Sequence, residues 1–197
     1  MLSMLLRIIT LIIFTGILPI ILIGLLIILI EDGFPVFFVQ RRLGKNKKEF
    51  LLLKIRTMKK NTPNLGTHQI SSSNYLKFGL FLRKFKVDEL PQVINYLWGD
   101  IALVGPRPGL PNQIELMKAR EKRGIFSMKP GITGLGQVLE FDMSNPIVLS
   151  KIDALYFQKK SIALDITIFI STFIKFFRKK LYNDFKKEIE LIKEDYA

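Results

Sequence analysis

Apolar and polar residues are sharply segregated along this chain. The run of 23 residues from Ile8 to Ile30 carries no charge and is broken only by Thr10, Thr15, Gly16, Pro19 and Gly24. A helix of that length can span the hydrocarbon core of a bilayer. Pro19, at mid-run, offers a second path. Proline removes one backbone hydrogen bond and kinks the helix, so that the segment dips into one leaflet and returns to the same face. A cleaved signal peptide fits poorly, because the run is long and no small-x-small site follows it. Too few positive residues precede the run to orient it, whereas the long basic remainder favours a cytoplasmic body.

Beyond this run the pattern shortens. Glu31–Pro35 reads as a turn, Val36–Gln40 as a strand, Leu43–Lys47 as a hairpin turn and Phe50–Arg56 as the return strand. Lys59–Ser73 is a polar, turn-rich surface loop that includes His68. Leu76, Leu80 and Phe81 predict a helix over Asn74–Lys84; Val93, Ile94 and Leu97 predict another over Leu90–Trp98. Ile101–Val104 reads as a brief buried strand, Leu110–Gly124 as an amphipathic helix and Lys129–Gly134 as a tight turn. Ser144 is placed to cap a helix entering at Pro146, and Ile152–Gln158 continues it. Ser161–Lys180 is aromatic and aliphatic with a basic end, which suits a helix lying at a membrane interface, with core packing as the alternative. Tyr182–Ala197 interleaves Lys and Glu and reads as a solvated helix. There is no internal repeat. The expected fold is α+β, mostly helical with a small β-hairpin, an N-terminal re-entrant or spanning membrane helix, and interfacial amphipathic helices.

Charge narrows the partners. The chain has 30 Lys and Arg against 17 Asp and Glu, a net charge of +13. Such an excess seeks anions: nucleic acid, anionic lipid or phosphorylated substrates. The absence of Cys excludes disulfides, thiol catalysis and zinc-thiolate sites. His68 is the only histidine, which argues against a histidine triad or a multi-histidine metal site.

Candidate chemistry gathers at Asp88-Glu89, behind Arg83, Lys84 and Lys86 and ahead of Pro91. Proline is tolerated in a first helical turn, so the pair falls at or near a helix N-terminus, where carboxylates and phosphates are both favoured. An Asp kept ionised there can attack phosphorus; the Glu can hold a divalent cation or position a leaving group. The plainer reading is a cap and an acidic first turn. Arg83 is the best candidate for a phosphate-binding cation, its guanidinium offering a planar fork of donors. Lys54 and Arg56 alternate on one strand face, and one of them is a candidate for the same work. In Gly105-Pro106-Arg107-Pro108 two prolines stiffen a loop with one Arg at its tip, a form suited to an anion. The glycines of Lys129–Gly134 allow a close backbone approach to a ligand. Arg41, Arg42, Lys45, Lys47 and Lys48 read as a solvated or headgroup-facing cluster.

The run Arg83-x4-Asp88-Glu89-Leu90-Pro91-Gln92-x2-Asn95-x3-Gly99-Asp100-x2-Leu103-Val104-Gly105-Pro106-Arg107-Pro108 resembles the signature of the bacterial sugar transferases that are monotopic phosphoglycosyl transferases. Lys129-Pro130-Gly131-Ile132-Thr133-Gly134-Leu135-x-Gln137-Val138 is similar to that family's later motif, and Gln40-x-Arg42-x-Gly44 with Lys54-x-Arg56-Thr57-Met58 to an earlier one. The chain departs from the pattern at Leu18, where a Ser usually precedes the proline, at Lys47, where a Gly is usual, and at Leu139-Glu140-Phe141.

The resemblance implies transfer of a sugar-1-phosphate from a nucleoside diphosphate sugar, usually UDP-linked, to polyprenyl (undecaprenyl) phosphate, with release of UMP. It implies a covalent intermediate on Asp88, help from Glu89, Mg2+ held at Asp88, and substrate contacts from Arg83, Arg107, Lys54, Arg56, Pro108 and Thr133. It favours the re-entrant form of the first helix. Residues 1–32 would be the membrane-inserted helix, 33–180 a cytoplasmic catalytic domain at the surface of the bacterial inner membrane, and 181–197 a charged tail. Partners would be the nucleotide sugar, the polyprenyl phosphate and membrane lipid, with no nucleic acid and with a homodimer left open. The alternatives are a non-catalytic basic membrane adaptor for anionic lipid or nucleic acid, and a protein of this fold that has lost activity.

Overall fold

A computed structural model of the chain describes residues 2–63 and 70–194, without the side chains of residues 2–10, 13, 14 and 17. His68 lies outside the described residues. The apolar run forms α1, Leu2–Asp32, one helix of 31 residues with Pro19 in its interior. Among the described residues no helix is long and apolar enough to cross a membrane; the described side chains of α1 begin at Leu11. The chain divides into two compact units, Met1–Gln40 with Leu51–Gly99 and Arg41–Phe50 with Asp100–Ala197. The expected hairpin is present: β1, Phe37–Leu43, pairs antiparallel with β2, Glu49–Ile55.

In the first unit, Ile21 and Ile28 of α1 pack with Ile55 of β2 and with Leu76 and Leu82, at and within α2, Lys77–Lys84. Two polar clamps fix the end of α1. Arg56 Nη2 donates to the carbonyls of Asp32 (3.2 Å) and Gly33 (2.7 Å), placing a cation where the helix dipole favours one. The Glu31 carboxylate accepts from the amides of Lys77 (2.7 Å) and Phe78 (3.2 Å), satisfying the start of α2. That helix is shorter than its periodicity predicts, because Ser72–Asn74 wind as a separate 3-10 turn. A methyl group on Gly79 would stand 2.4 Å from the Thr57 carbonyl oxygen, so only glycine lets α2 lie this close to the strand's exit.

In the second unit, β3, Ala102–Val104, pairs in parallel with β4, Gly131–Thr133, in the register Ala102 to Gly131 and Val104 to Thr133. Residues 131–133 were expected within a tight turn and form a strand instead. The close approach that their glycines allow is taken up by the protein's own backbone. A Cβ on Gly131 would meet the Gly105 nitrogen at 2.1 Å, and one on Gly134 the Gly105 oxygen at the same distance.

The helices of this unit are α4 (Ile114–Lys122), α5 (Leu135–Val138), α6 (Pro146–Lys159), α7 (Ile162–Phe173), α8 (Lys175–Asp184) and α9 (Lys186–Glu194). Asn145, rather than Ser144, caps α6: its Oδ1 accepts from the Val148 amide at 3.1 Å, while Ser144 bonds Asp142. Tyr156 of α6 is fully buried and donates to Asp165 of α7 at 2.6 Å. Ile162, Ile166, Phe169, Phe173 and Phe176 are exposed along α7 and α8, as an interfacial helix requires, but the predicted continuous helix breaks at Ile174. The tail is not a solvated helix. Leu181, Phe185 and Ile189, spaced four apart, are buried in the main core with Ile152, Tyr156 and Ile168. Each such side chain contributes about 1.5–3 kcal/mol by leaving water.

Candidate active site

The first unit brings Lys54, Arg83, Asp88 and Glu89 together. Val87–Glu89 form one 3-10 turn between α2 and α3, Gln92–Trp98. Lys86 turns the chain into it with a left-handed backbone, φ 60°. Such a conformation in a residue with a Cβ costs about 1–2 kcal/mol and is held by its surroundings. Pro91 stands at the start of α3, as the sequence predicts, so Asp88 precedes the helix by a turn.

Asn95 sets the height of this turn over the hairpin. Its side chain is fully buried, accepts from the Leu53 amide at 3.1 Å and donates to the Leu51 carbonyl at 2.7 Å. Those are β2 groups, so α3 is stitched to the strand that carries Lys54. Nothing in the helical periodicity singles Asn95 out. The available signal was the edge of a two-stranded hairpin, whose backbone groups need partners when buried.

Lys54 Nζ donates to Glu89 Oε1 at 2.7 Å. Asp88 is 5% exposed. Burial pushes its carboxyl above the usual carboxylate range; Lys54 pulls it back, Glu89 adds to the rise, and Arg83 and Lys86 oppose it. Lys54 thus serves both acids, as a hydrogen-bonded partner of one and the strongest counter-charge of the other. Arg83 is half-buried, its guanidinium 5.0 Å from the centre of the Tyr75 ring and its Nη1 3.4 Å from the Thr57 hydroxyl. A hydroxyl and an aromatic face orient the fork without neutralising it.

Arg56 lies in the first unit as well. It is 5% exposed, faces the end of α1 and forms an ion pair with Asp32 at 3.1 Å. Arg107, Pro108 and Thr133 belong to the second unit. Arg107 is half-buried and Pro108 buried. The Thr133 hydroxyl is 2.7 Å from that of Thr172, linking β4 to α7. Nor do the basic residues of the hairpin form one exposed face. Arg42 is buried and donates to the Pro108 carbonyl at 2.9 Å, whereas Lys47 pairs with Glu121 at the surface.

Among the described residues no group of three or more His, Asp or Glu side chains could hold a metal ion. Asp88 and Glu89 still offer hard oxygen donors, which suit Mg2+ because that ion takes one or two carboxylates and completes its shell with water and substrate phosphate. The pair therefore fits Mg2+ together with a phosphate ligand.

Residues 2–179 match the family described as bacterial sugar transferase. The uncharacterized sugar transferase EpsL of Bacillus subtilis (strain 168) is 37% identical over 156 residues, covering 78% of this chain and 75% of that protein. The UDP-N-acetylgalactosamine-undecaprenyl-phosphate N-acetylgalactosaminephosphotransferase of Aeromonas hydrophila is 32% identical over 164 residues, covering 78% of this chain and 38% of that protein. The UDP-glucose:undecaprenyl-phosphate glucose-1-phosphate transferase of Caulobacter vibrioides is 37% identical over 124 residues, 61% of this chain and 46% of that protein. The chain thus spans under half the length of the latter two. With the family matched over nearly its whole length, this chain belongs to the bacterial sugar transferases.

Proposed function

We propose that this protein transfers a sugar-1-phosphate from a nucleoside diphosphate sugar, UDP-linked as in the named relatives, to polyprenyl phosphate, and that Asp88 is the nucleophile. The single observation that carries the reading is a buried acid, Asp88, in a 3-10 turn with Glu89 and under the charge of Lys54. A buried carboxylate of this kind serves structure poorly, since burial raises its energy, and serves nucleophilic chemistry well.

The Asp88 carboxylate attacks the sugar-bearing β-phosphorus. The bond to the bridging oxygen breaks, UMP leaves, and an acyl phosphate to the sugar remains on the enzyme. A phosphate oxygen of the polyprenyl phosphate then attacks the same phosphorus and frees Asp88, giving the polyprenyl-diphospho-sugar. Each attack brings anions together, so cations must lower the repulsion. Lys54 does so at Asp88, and Arg83 binds substrate phosphate. Asp88 and Glu89 would hold Mg2+, which would act as a Lewis acid and withdraw charge from the substrate phosphate.

α1 inserts in the membrane, and the exposed apolar face of α7 and α8, followed by Arg178, Lys179 and Lys180, rests at the interface on the cytoplasmic side. Anchoring brings the acid to the depth of a lipid phosphate. The test is release of UMP from a panel of UDP-sugars with undecaprenyl phosphate, together with capture of radiolabelled phosphosugar on the protein when acceptor is omitted. Chelation by EDTA stops the reaction and Mg2+ restores it. Turnover without protein labelling, or labelling that persists in Asp88→Asn, refutes the nucleophile.

A further inference from the structure

The loop Gly105–Pro108 has few amides of its own with which to hold itself: that of Gly105 donates to the Thr133 carbonyl at 2.9 Å, and Pro106 and Pro108 have none to donate. Donors from elsewhere in the second unit meet its carbonyls one after another. The Pro106 oxygen accepts from the Gly131 amide at 3.0 Å. Arg107 O accepts from Arg120 Nη1 at 2.8 Å and Pro108 O from Arg42 Nη1 at 2.9 Å. Gly109 O accepts from the Leu43 amide at 2.9 Å.

Among these donors Arg120 is oriented by a buried carboxylate. It lies on α4 and is 3% exposed; Asp153, on α6, is equally buried. Nε and Nη2 of Arg120 both donate to Asp153 Oδ2, at 2.9 and 2.7 Å. A guanidinium is planar and rigid, so two bonds to the carboxylate fix where the remaining nitrogen points. It points at the Arg107 carbonyl. A buried ion pair contributes little to stability beyond what well-packed apolar residues would provide, so the pair calls for a reason other than stability.

We propose that Arg120, oriented by Asp153, is a positioning residue that fixes the backbone of Arg107 and thereby presents its guanidinium to the anionic part of the nucleotide sugar. This rests on the reading of Arg107 as a contact for that group. The buried pair is the fixed point, the carbonyl is what it holds, and substrate affinity is what it sets.

The test uses the full chain in detergent or nanodiscs. Arg120→Lys keeps a cation opposite Asp153 and loses the fork. It raises KM for the UDP-sugar about tenfold, the size of one lost charge-assisted hydrogen bond, and leaves kcat within about twofold. Hydrogen exchange speeds up at the Arg107 and Gly109 amides. In an Arg107→Ala background, Arg120→Lys adds less than about twofold to KM, because a residue acting through Arg107 has nothing left to position. Asp153→Asn, close in shape, gives the same pattern and stands in if Arg120→Lys does not fold. Equal effects of Arg120→Lys in both backgrounds overturn the proposal, as does a lower melting temperature with KM unmoved. Should Arg107→Ala alone leave KM unchanged, the reading of Arg107 fails and carries the proposal with it, an outcome distinct from either of those.

Discussion

Lys54 Nζ lies 2.7 Å from Glu89 Oε1, with the two side chains 14% and 11% exposed. This pair joins β2 to the turn that carries both acids, and its cation also acts on Asp88. Removing it has two separable consequences. Glu89, largely buried, loses the cation bonded to it at 2.7 Å, so Lys54→Gln destabilises the fold by up to about 3 kcal/mol, the lower end of the range for breaking a buried pair. Asp88 loses the charge that most opposes its rise, so its carboxyl moves further up. If the ionised carboxylate attacks, the acidic limb of kcat/KM moves to higher pH in this variant. Urea unfolding and a pH–rate profile measure the two effects. An acidic limb that stays in place shows that Lys54 does not tune Asp88.

Asp88 itself sets function against stability. Its carboxyl titrates above the ordinary value of about 3.9 because burial disfavours the charged form. The folded protein therefore holds that proton more tightly than the unfolded chain does. The stability it contributes is present below the unfolded value and is lost as pH rises through the folded one. Once ionised, the acid is thus a net burden, and Asp88→Asn, neutral and of the same shape, relieves it. The variant loses turnover by at least about a thousandfold, as expected when a nucleophile is removed, and melts higher than the parent at pH 7. Melting curves between pH 4 and 8 show a gap that widens with pH. A variant less stable than the parent at pH 7 contradicts the assignment of burial as the dominant cause.

Much of this was legible in the sequence, for reasons that differ by element. The hairpin and α3 follow from short-range patterning, and the acids were marked by the cations around them. What the sequence hid was long-range. Lys54 and Arg56 alternate along β2, so one of the two was read as a candidate for phosphate, and patterning could not show that Arg56 Nη2 turns to the carbonyls that end α1. Residues 131–133 looked like a turn because glycine is common in turns, and the partner that makes them a strand lies at residues 102–104. Tyr182–Ala197 looked solvated because charges outnumber the apolar residues, yet Phe185 and Ile189 complete a stripe begun by Leu181. Asn95 stood in the sequence only as one position of the family signature, with no role attached to it.

Asn95 answers two β2 groups at once, and its loss exposes that dependence. Asn95→Ala leaves the part-buried Leu53 amide and Leu51 carbonyl without the side chain that served them. Each unmet group costs about 1–3 kcal/mol, so the variant loses on the order of 2–4 kcal/mol once partial relaxation is allowed for. Asn95→Asp keeps the acceptor and loses the donor, and falls between the two. Chemical denaturation orders the three proteins. A loss under about 1 kcal/mol in Asn95→Ala means that water or another side chain replaces the amide, and that α3 does not depend on this stitch.

Lys47 occupies a place in the hairpin turn where the backbone is left-handed, φ 61°, next to Asn46 at φ 54°. Asparagine tolerates this region, because its short polar side chain bonds locally; lysine does not, at a cost of about 1–2 kcal/mol. Lys47 recovers part of that through its ion pair with Glu121, at 2.5 Å, yet both side chains are about half exposed. Such pairs contribute about 0.2–1 kcal/mol. Backbone strain is the larger of the two magnitudes, so Lys47→Gly stabilises the fold by about 0.5–1 kcal/mol, against the usual expectation for deleting a salt bridge. Placing the change in a Glu121→Ala background removes the pair from the comparison and raises the gain toward the full strain. Raised salt, which screens the pair but not the steric clash, moves the single variant the same way. Melting temperatures of the four proteins in this cycle, at low and high salt, measure both terms; a loss of stability in the Glu121→Ala background shows that the turn accommodates a side chain without strain.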